Sequence, residues 1–459
     1  MKDNAKYIAA LFAIVLTIYI PAFFLLRNYS QFGADKDFPI TRGDTEDYVS
    51  AANNMRDHRT FSIATEAPFA PDTLRTPGYP LFLWAATSVF GSYIFVSILQ
   101  ILLTALNCCI LFLMIQKFIP KKWALGASLL YLLDPNVMWF SFIVMADTLF
   151  VSLVLLAVYI LFFSDKFSPI YKNIIAGALI GGAILVKPIA ILLPFILPLF
   201  YIWFERGKIS VKAIAIGAGL FVVSCMLILA PWLIRNKIAQ GEWGISSAGA
   251  PGLLFCNVAE FLSASRHKDL VLVRSELEKE ARISGSSWRD LENWTLKRSQ
   301  EFNALAKKYI LGDPLGYAKF HLIKNLPVFL MSGFEDARIN LAHLTGVAYE
   351  PETAKLNYSD LVASGNFRAF FSAVIKDAFV LEKFFWFLVF CGALAGAWLM
   401  RKEKLVWLML LLMFYFMLPL PYAHVRYRLP IEPFLLTLAS IGLFQITGAL
   451  MRKRSSASA

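Results

Sequence analysis

Runs of about 20 apolar residues, the length a helix needs to cross the hydrocarbon layer, recur from one end of this chain to the other. They predict spans near residues 7–26, 93–117, 123–134, 145–163, 173–186, 189–204, 212–234, 379–400, 405–420 and 429–450, about ten crossings. Two polar stretches interrupt them, one from 27 to 92 and one from 236 to 377. Inside the first, Pro77 opens an apolar segment ending at Gly91. It is too short for a span and suits an interfacial or re-entrant helix. In the second, 270–312 reads as helical, and 317–334 is amphipathic and suited to the membrane surface. The expected fold is an all-α polytopic membrane protein with juxtamembrane helices. It divides into an N-terminal membrane module (1–235), an external, mostly helical region (236–377) and C-terminal spans with a basic tail (378–459).

Composition agrees. The chain is 58% hydrophobic and 17% charged, with a mean hydropathy of +0.60, whereas soluble domains carry about 25% charge. The net charge of +12 does not point to nucleic acid, because Lys and Arg gather in short clusters between apolar runs. Lys117/Lys121/Lys122, Arg206/Lys208/Lys212, Arg401/Lys402/Lys404 and Arg452/Lys453/Arg454 form a positive-inside pattern. Lys2 and Lys6 start the first run on the cytoplasmic side, which makes both polar stretches external. That run is too long for a signal-peptide core and reads as a retained anchor. Four of the five cysteines lie in apolar runs and only Cys256 lies in a polar one, so no disulfide framework follows. The glycines at 177–182 and 217–219 suit close helix packing in lipid, not a phosphate loop.

Candidate chemistry sits at the external helix ends: Asp44, Glu46, Asp47, Arg75, Asp134, Asp147, Lys187, Arg235, Arg426 and Arg428. Charges near a membrane are costly unless paired, hydrated or used. A carboxylate can take a proton from an acceptor hydroxyl while guanidinium groups grip the oxygens of a departing phosphate in bidentate fashion. Structural roles compete with this. Asp44 follows Gly43 and can cap a helix, with Asp47 closing a capping box. Asp147 is placed to serve as a snorkelling helix-start acid, and Lys187 before Pro188 as a topological anchor. Arg426 and Arg428 are external against the prevailing charge bias, which favours function.

Several pieces run in order along nearly the whole chain: Asp44-Thr-Glu-Asp-Tyr48, Arg75-Thr-Pro-Gly-Tyr79-Pro, Met145-Ala-Asp147, Lys187-Pro188, Pro231-Trp-Leu-Ile-Arg235-Asn236 and Arg426-Tyr-Arg428-Leu-Pro430. In order and topology they resemble the GT-C superfamily of glycosyltransferases that use polyprenyl-phosphate sugars. The branch is the one that includes the bacterial lipid A aminoarabinose transferase and the protein O-mannosyltransferases. The resemblance implies a GT-C-like fold whose first external loop supplies the catalytic acid, matched by Asp44, with a helix-start acid matched by Asp147. It also implies a substrate-binding set drawn from Asp47, Tyr48, Arg75, Tyr79, Lys187, Arg235, Arg426 and Arg428. Lys187 stands where relatives often carry Arg, and Asp147 where Glu is common; both keep the charge. After Asn236 the resemblance is loose, and acceptor choice would lie there.

The expected activity is transfer of a sugar from a polyprenyl-phosphate donor to a hydroxyl or amine of a lipid, glycan or protein acceptor, with inversion. Asp44 is the expected general base, with Glu46 and Asp47 as alternatives. The site faces the external or periplasmic side of a plasma membrane, in bacteria the inner one. The scheme requires no cofactor; adjacent carboxylates leave a metal open. The alternatives are a transporter or flippase of a lipid-linked sugar, or a surface-polysaccharide polymerase or ligase. Transporters favour internal repeats and charges at the bilayer midplane, whereas here the charges cluster at helix ends on one side.

Overall fold

The computed structural model describes residues 2–29, 44–290, 293–346, 361, 365–369, 372 and 379–457; the expectations for 30–43 and most of 347–378 lie outside the described residues. The described chain is helical throughout, as the periodicity predicts. Seven helices are long and apolar enough to cross a membrane: Asn4–Asn28, Ile94–Ile115, Pro169–Val186, Pro188–Glu205, Val211–Gln240, Val380–Leu399 and Glu432–Arg452. A bent pair, Pro135–Phe142 with Asp147–Phe163, turns by 111° and makes an eighth candidate. This is an integral membrane protein.

Two of the roughly ten expected spans are helices too short to cross the hydrocarbon core. The helix Lys121–Leu133 has 13 residues and Lys404–Met417 has 14. At 1.5 Å per residue each covers about 20 Å, short of a hydrocarbon core of about 30 Å. Proline is involved in both cases. Asp134, before Pro135, is extended, as proline requires of the residue before it. Leu418, before Pro419, stays helical, and Pro419 has no N–H to continue the ladder.

We number the elements that position the site: α1 (Lys2–Tyr29), α2 (Asp44–Asp57), α3 (Gly78–Phe90), α4 (Ile94–Ile115), α5 (Lys121–Leu133), α6 (Pro135–Phe142), α7 (Asp147–Val158), α8 (Pro169–Val186), α9 (Leu193–Glu205) and α10 (Val211–Gln240). The break between α6 and α7 leaves carbonyls without helical partners. Gln100 of α4 donates to the Ile143 oxygen at 2.6 Å, and Ser97 donates to the Phe142 oxygen. Side chains thus meet the need that a broken helix in lipid creates.

Small residues set the closest approaches. A methyl at Gly177 would collide with the Phe221 carbonyl, and one at Gly181 would meet Cys225 and Ile228, so α8 and α10 pack backbone to backbone, as the glycine pattern implied. Gly78, the first residue of α3, sits against the end of α8, where a Cβ would come within 2.6 Å of the Leu185 carbonyl carbon.

The helices after α10 have their own apolar core, with Leu254, Phe255, Val258 and Ala259 packed with Val273, Leu277, Phe302 and Ala306. Lys324 joins it to the membrane part. Almost wholly buried, it pairs with Glu260 and donates to the Pro421 carbonyl at 2.6 Å.

The C-terminal helices Val380–Leu399 and Glu432–Ala457 meet at Gly392, Gly396 and Gly442, where a methyl on Gly442 would strike the Gly392 carbonyl oxygen. Gly442→Val is therefore expected to force these helices apart and cost about 1–3 kcal/mol, the usual range for overpacking. Thermal unfolding of the detergent-solubilised protein measures it; an unchanged midpoint would contradict the packing.

Candidate active site

A cavity of about 220 Å³ opens where five parts of the chain converge. Asp44, Tyr48, Arg75, Asp147, Lys187 and Arg426 form its polar wall, and Phe150, Pro188, Ile189, Leu420, Tyr427 and Pro430 line the rest.

Local rules place each group. Asp44, Asp47 and Tyr48 stand three and four residues apart on α2, so they share one face, and acids in the first helical turn suit the positive end of its dipole. Glu46 lies on the exposed face of the same helix. The buried small residue Ala52 joins the apolar cluster that holds Tyr79 and Leu83 of α3, and Ala51 packs with Phe61 and Trp232. Arg75 precedes the docked start of α3, where Thr76 donates to the Val186 carbonyl at 3.3 Å and Gly78 abuts Leu185. Lys187 is the next residue after α8. One backbone contact therefore brings together two cations that are 112 positions apart in the sequence.

Arg426 projects from a 3₁₀ turn, Val425–Arg428. Asp147 begins α7, immediately after the sharp bend.

These charges alternate in sign. Arg75 holds Asp47 through Nε at 2.9 Å and Nη2 at 2.7 Å, and the same Nη2 reaches Asp44 at 2.5 Å. Arg426 Nη1 donates to the other Asp44 oxygen at 2.8 Å, and its Nε lies 3.2 Å from both Asp147 oxygens. Lys187 Nζ donates to Asp147 at 2.5 Å. Burial pushes the Asp44 carboxyl upward, but the charges of Arg75 and Arg426 outweigh it and hold the group well below its ordinary value. Burial pushes the Tyr48 hydroxyl up to about 12, so it stays protonated at neutral pH. The Arg75 guanidinium lies over the Tyr48 ring at 5.3 Å.

Four residues expected to touch substrate do not line the cavity: Asp47, which pairs with Arg75 at its edge, and Tyr79, Arg235 and Arg428. Tyr79 is buried behind Tyr48, with ring centres 5.0 Å apart, and donates to Gln100 at 2.6 Å. Arg235 does not line the cavity. Its guanidinium donates to the Asp72 carbonyl at 2.6 Å and the Phe61 carbonyl at 2.9 Å, and packs over Trp232. It holds the loop that leads to Arg75.

Arg428 is fully buried, paired with Asp134 at 3.0 Å and near Glu432 at 3.5 Å. It donates to the Met331 carbonyl at 2.7 Å and lies over Trp386. Alternation within a tight turn explains the split: Arg426 faces the cavity and Arg428 faces the protein. Tyr427 between them lines the cavity and was not singled out from the sequence, although its place between two external arginines pointed to it. Glu432 and Gln100 were also missed, because apolar context reads as lipid-facing. Among the described residues, no group of three or more His, Cys, Asp and Glu side chains could hold a metal ion.

Comparison with known proteins adds to this. Residues 74–234 match a family model described as dolichyl-phosphate-mannose-protein mannosyltransferase. No curated protein matches the sequence. Among solved structures, the oligosaccharyltransferase of Archaeoglobus fulgidus tethered to an acceptor peptide is similar in fold, with a TM-score of 0.55 and 13% identity. The match covers 99% of this chain and 51% of that one. The apo form of the same enzyme gives 0.51 at 13% identity, over 99% of this chain and 52% of that one. The chain thus spans about half the length of these proteins. ArnT from Cupriavidus metallidurans, bound to undecaprenyl phosphate, aligns at 13% identity over 94% of this chain and 77% of that one, with a TM-score of only 0.41.

Removing one member of a buried ion pair leaves the other uncompensated, at a cost of about 3–5 kcal/mol. Arg428→Met is expected to destabilise the protein by that much, seen as a large drop in thermal midpoint. A variant as stable as the parent would mean that Asp134 and Glu432 do not depend on this guanidinium.

Proposed function

We propose that this GT-C-type membrane protein is a glycosyltransferase that moves a sugar from a polyprenyl-phosphate donor to an acceptor hydroxyl or amine, with Asp44 as general base. The observation that carries the reading is the meeting of the Asp44 carboxylate with two guanidinium groups, Arg75 and Arg426, in one cavity at the ends of membrane helices. The family description matched by residues 74–234, which names a dolichyl-phosphate-sugar enzyme, supports the same class of donor.

The geometry suits one displacement. An acceptor O–H gives its proton to Asp44 as its oxygen attacks the anomeric carbon. The bond from that carbon to the phosphate oxygen breaks, and its electron pair leaves with polyprenyl phosphate. Arg75, Arg426 and Lys187 are the fixed positive charges available where that negative charge develops, and preorganised charge is commonly the largest catalytic contribution. Attack on the face opposite the leaving phosphate inverts the anomeric centre.

Asp147 contacts both Lys187 and Arg426, so its proposed role is to orient these cations. The apolar lining of Phe150, Ile189 and Leu420 suits the first isoprene units of the donor, and the exposed Ile191, Leu192 and Phe195 nearby continue that character toward lipid. The cavity lies on the side opposite the basic loop clusters, which supports an external, in bacteria periplasmic, active site. The acceptor, whether lipid, glycan or protein, would enter beside the external helical region.

Purified protein incubated with a panel of radiolabelled polyprenyl-phosphate sugars is expected to release polyprenyl phosphate from at least one donor. Binding of a sugar solute with no cleavage of any donor would instead favour transport. Asp44→Asn is expected to lower turnover by about 10²–10⁴-fold, the usual contribution of a general base, with folding retained. Near-normal transfer by this variant would move the role to Asp47.

The pH dependence follows from the lowered carboxyl of Asp44. A depressed group stays ionised well below the ordinary carboxylate value of about 4; the stability it adds is full above that value and is lost as pH falls from there toward the depressed one. kcat/KM, which reports the free enzyme, should show no acidic limb from Asp44 between about pH 5 and 8. A limb that disappears in Asp44→Asn would contradict this.

A further inference from the structure

The cations that would hold the leaving phosphate are already engaged. Arg75 places Nε and Nη2 on Asp47 and the same Nη2 on Asp44, while Arg426 places Nη1 on Asp44 and Nε on Asp147. Lys187 spends one of its donors on Asp147. With Asp47, which pairs with Arg75 just outside the lining, three cations face three carboxylates, so the charge line as a whole is formally neutral and offers an entering anion little net attraction. Phosphate and carboxylate oxygens are similar acceptors for the planar guanidinium fork. Whichever binds it leaves the other short of donors in a partly buried site, and that loss is expensive.

We propose that the donor phosphate competes with Asp44 for Arg75 and Arg426, so that holding the leaving group and releasing the base are one event. This rests on the glycosyl-transfer reading of the same cavity. Without donor, the two arginines grip Asp44 and make it a poor base. When phosphate oxygens take these N–H groups, Asp44 keeps its burial but loses its counter-ions, and its affinity for a proton rises.

The charges balance through the step. The acceptor proton neutralises Asp44 as the phosphate gains the electron pair of the broken bond. The negative charge that the arginines must stabilise passes from the carboxylate to the phosphate, and the total over wall and phosphate is unchanged.

This account makes an unusual demand: removing the base must tighten binding of the phosphate product. Affinity for a polyprenyl phosphate in detergent is compared among the wild-type protein, Asp44→Asn and Asp47→Asn, with the corresponding polyprenol as control. Asp44→Asn is expected to lower Kd about tenfold, roughly what one charge-assisted hydrogen bond is worth, and polyprenol binding should not change. Asp47→Asn lies outside the cavity lining and frees Arg75 from its other carboxylate. It should shift Kd in the same direction and carries the test should Asp44→Asn fail to fold.

Unchanged or weaker phosphate binding in the folded variants overturns the competition. If the wild-type protein still cleaves a donor in that case, the transferase reading stands without it. Failure of all three proteins to bind polyprenyl phosphate overturns both.

Discussion

A line of alternating charges, Asp47–Arg75–Asp44–Arg426–Asp147–Lys187, ties together five parts of the chain that share no local structure. Each member is costly to bury alone, and each neighbour offsets part of that cost. The arrangement is therefore worth little as separate pairs and a good deal as a set, because loss of any interior member strands two others. Asp47 and Asp44 are partly exposed and softened by solvent, whereas Asp147 is nearly sealed. The protein's most constrained charges thus lie deep, at the bent start of α7, and its more adjustable ones lie where a ligand would arrive.

The rest of the fold holds that line in place. Arg75 depends on Gly78 docking onto α8 and on Arg235 clamping the preceding loop. Arg426 depends on its turn being fixed from behind by Arg428, Asp134 and the Met331 carbonyl. Asp147 depends on Gln100 satisfying the carbonyls at the bend. None of these supports lines the cavity, yet each fixes the direction of a side chain that does. A site assembled from helix ends needs such bracing, since a displacement of about 1 Å already weakens catalytic geometry.

Much of this was legible beforehand. Asp44, Arg75, Asp147, Lys187 and Arg426 were singled out as charges expected at external helix ends, where charge demands an explanation, and Tyr48 through the family resemblance; all six line one cavity. Arg235 and Arg428 met the same criterion and turned out to be braces. Sequence position says which membrane face a charge occupies; it does not say whether the side chain points into a cavity or back into the protein. For Arg428 the deciding facts were Asp134, 294 residues away in the chain, and Trp386.

Hydrophobic run lengths alone determined that the chain is a helical membrane protein, and the bias of Lys and Arg set the expectation that both polar regions lie on one side. Those properties depend on transfer to lipid and on charge at its surface, which act residue by residue. The tertiary structure alone decided that two predicted spans fall short, that α6 and α7 meet at a sharp bend, and which arginines face the cavity. These outcomes depend on contacts between distant segments, on a glycine seated against a backbone or a carboxylate reaching across the bundle, and no local pattern encodes such distances.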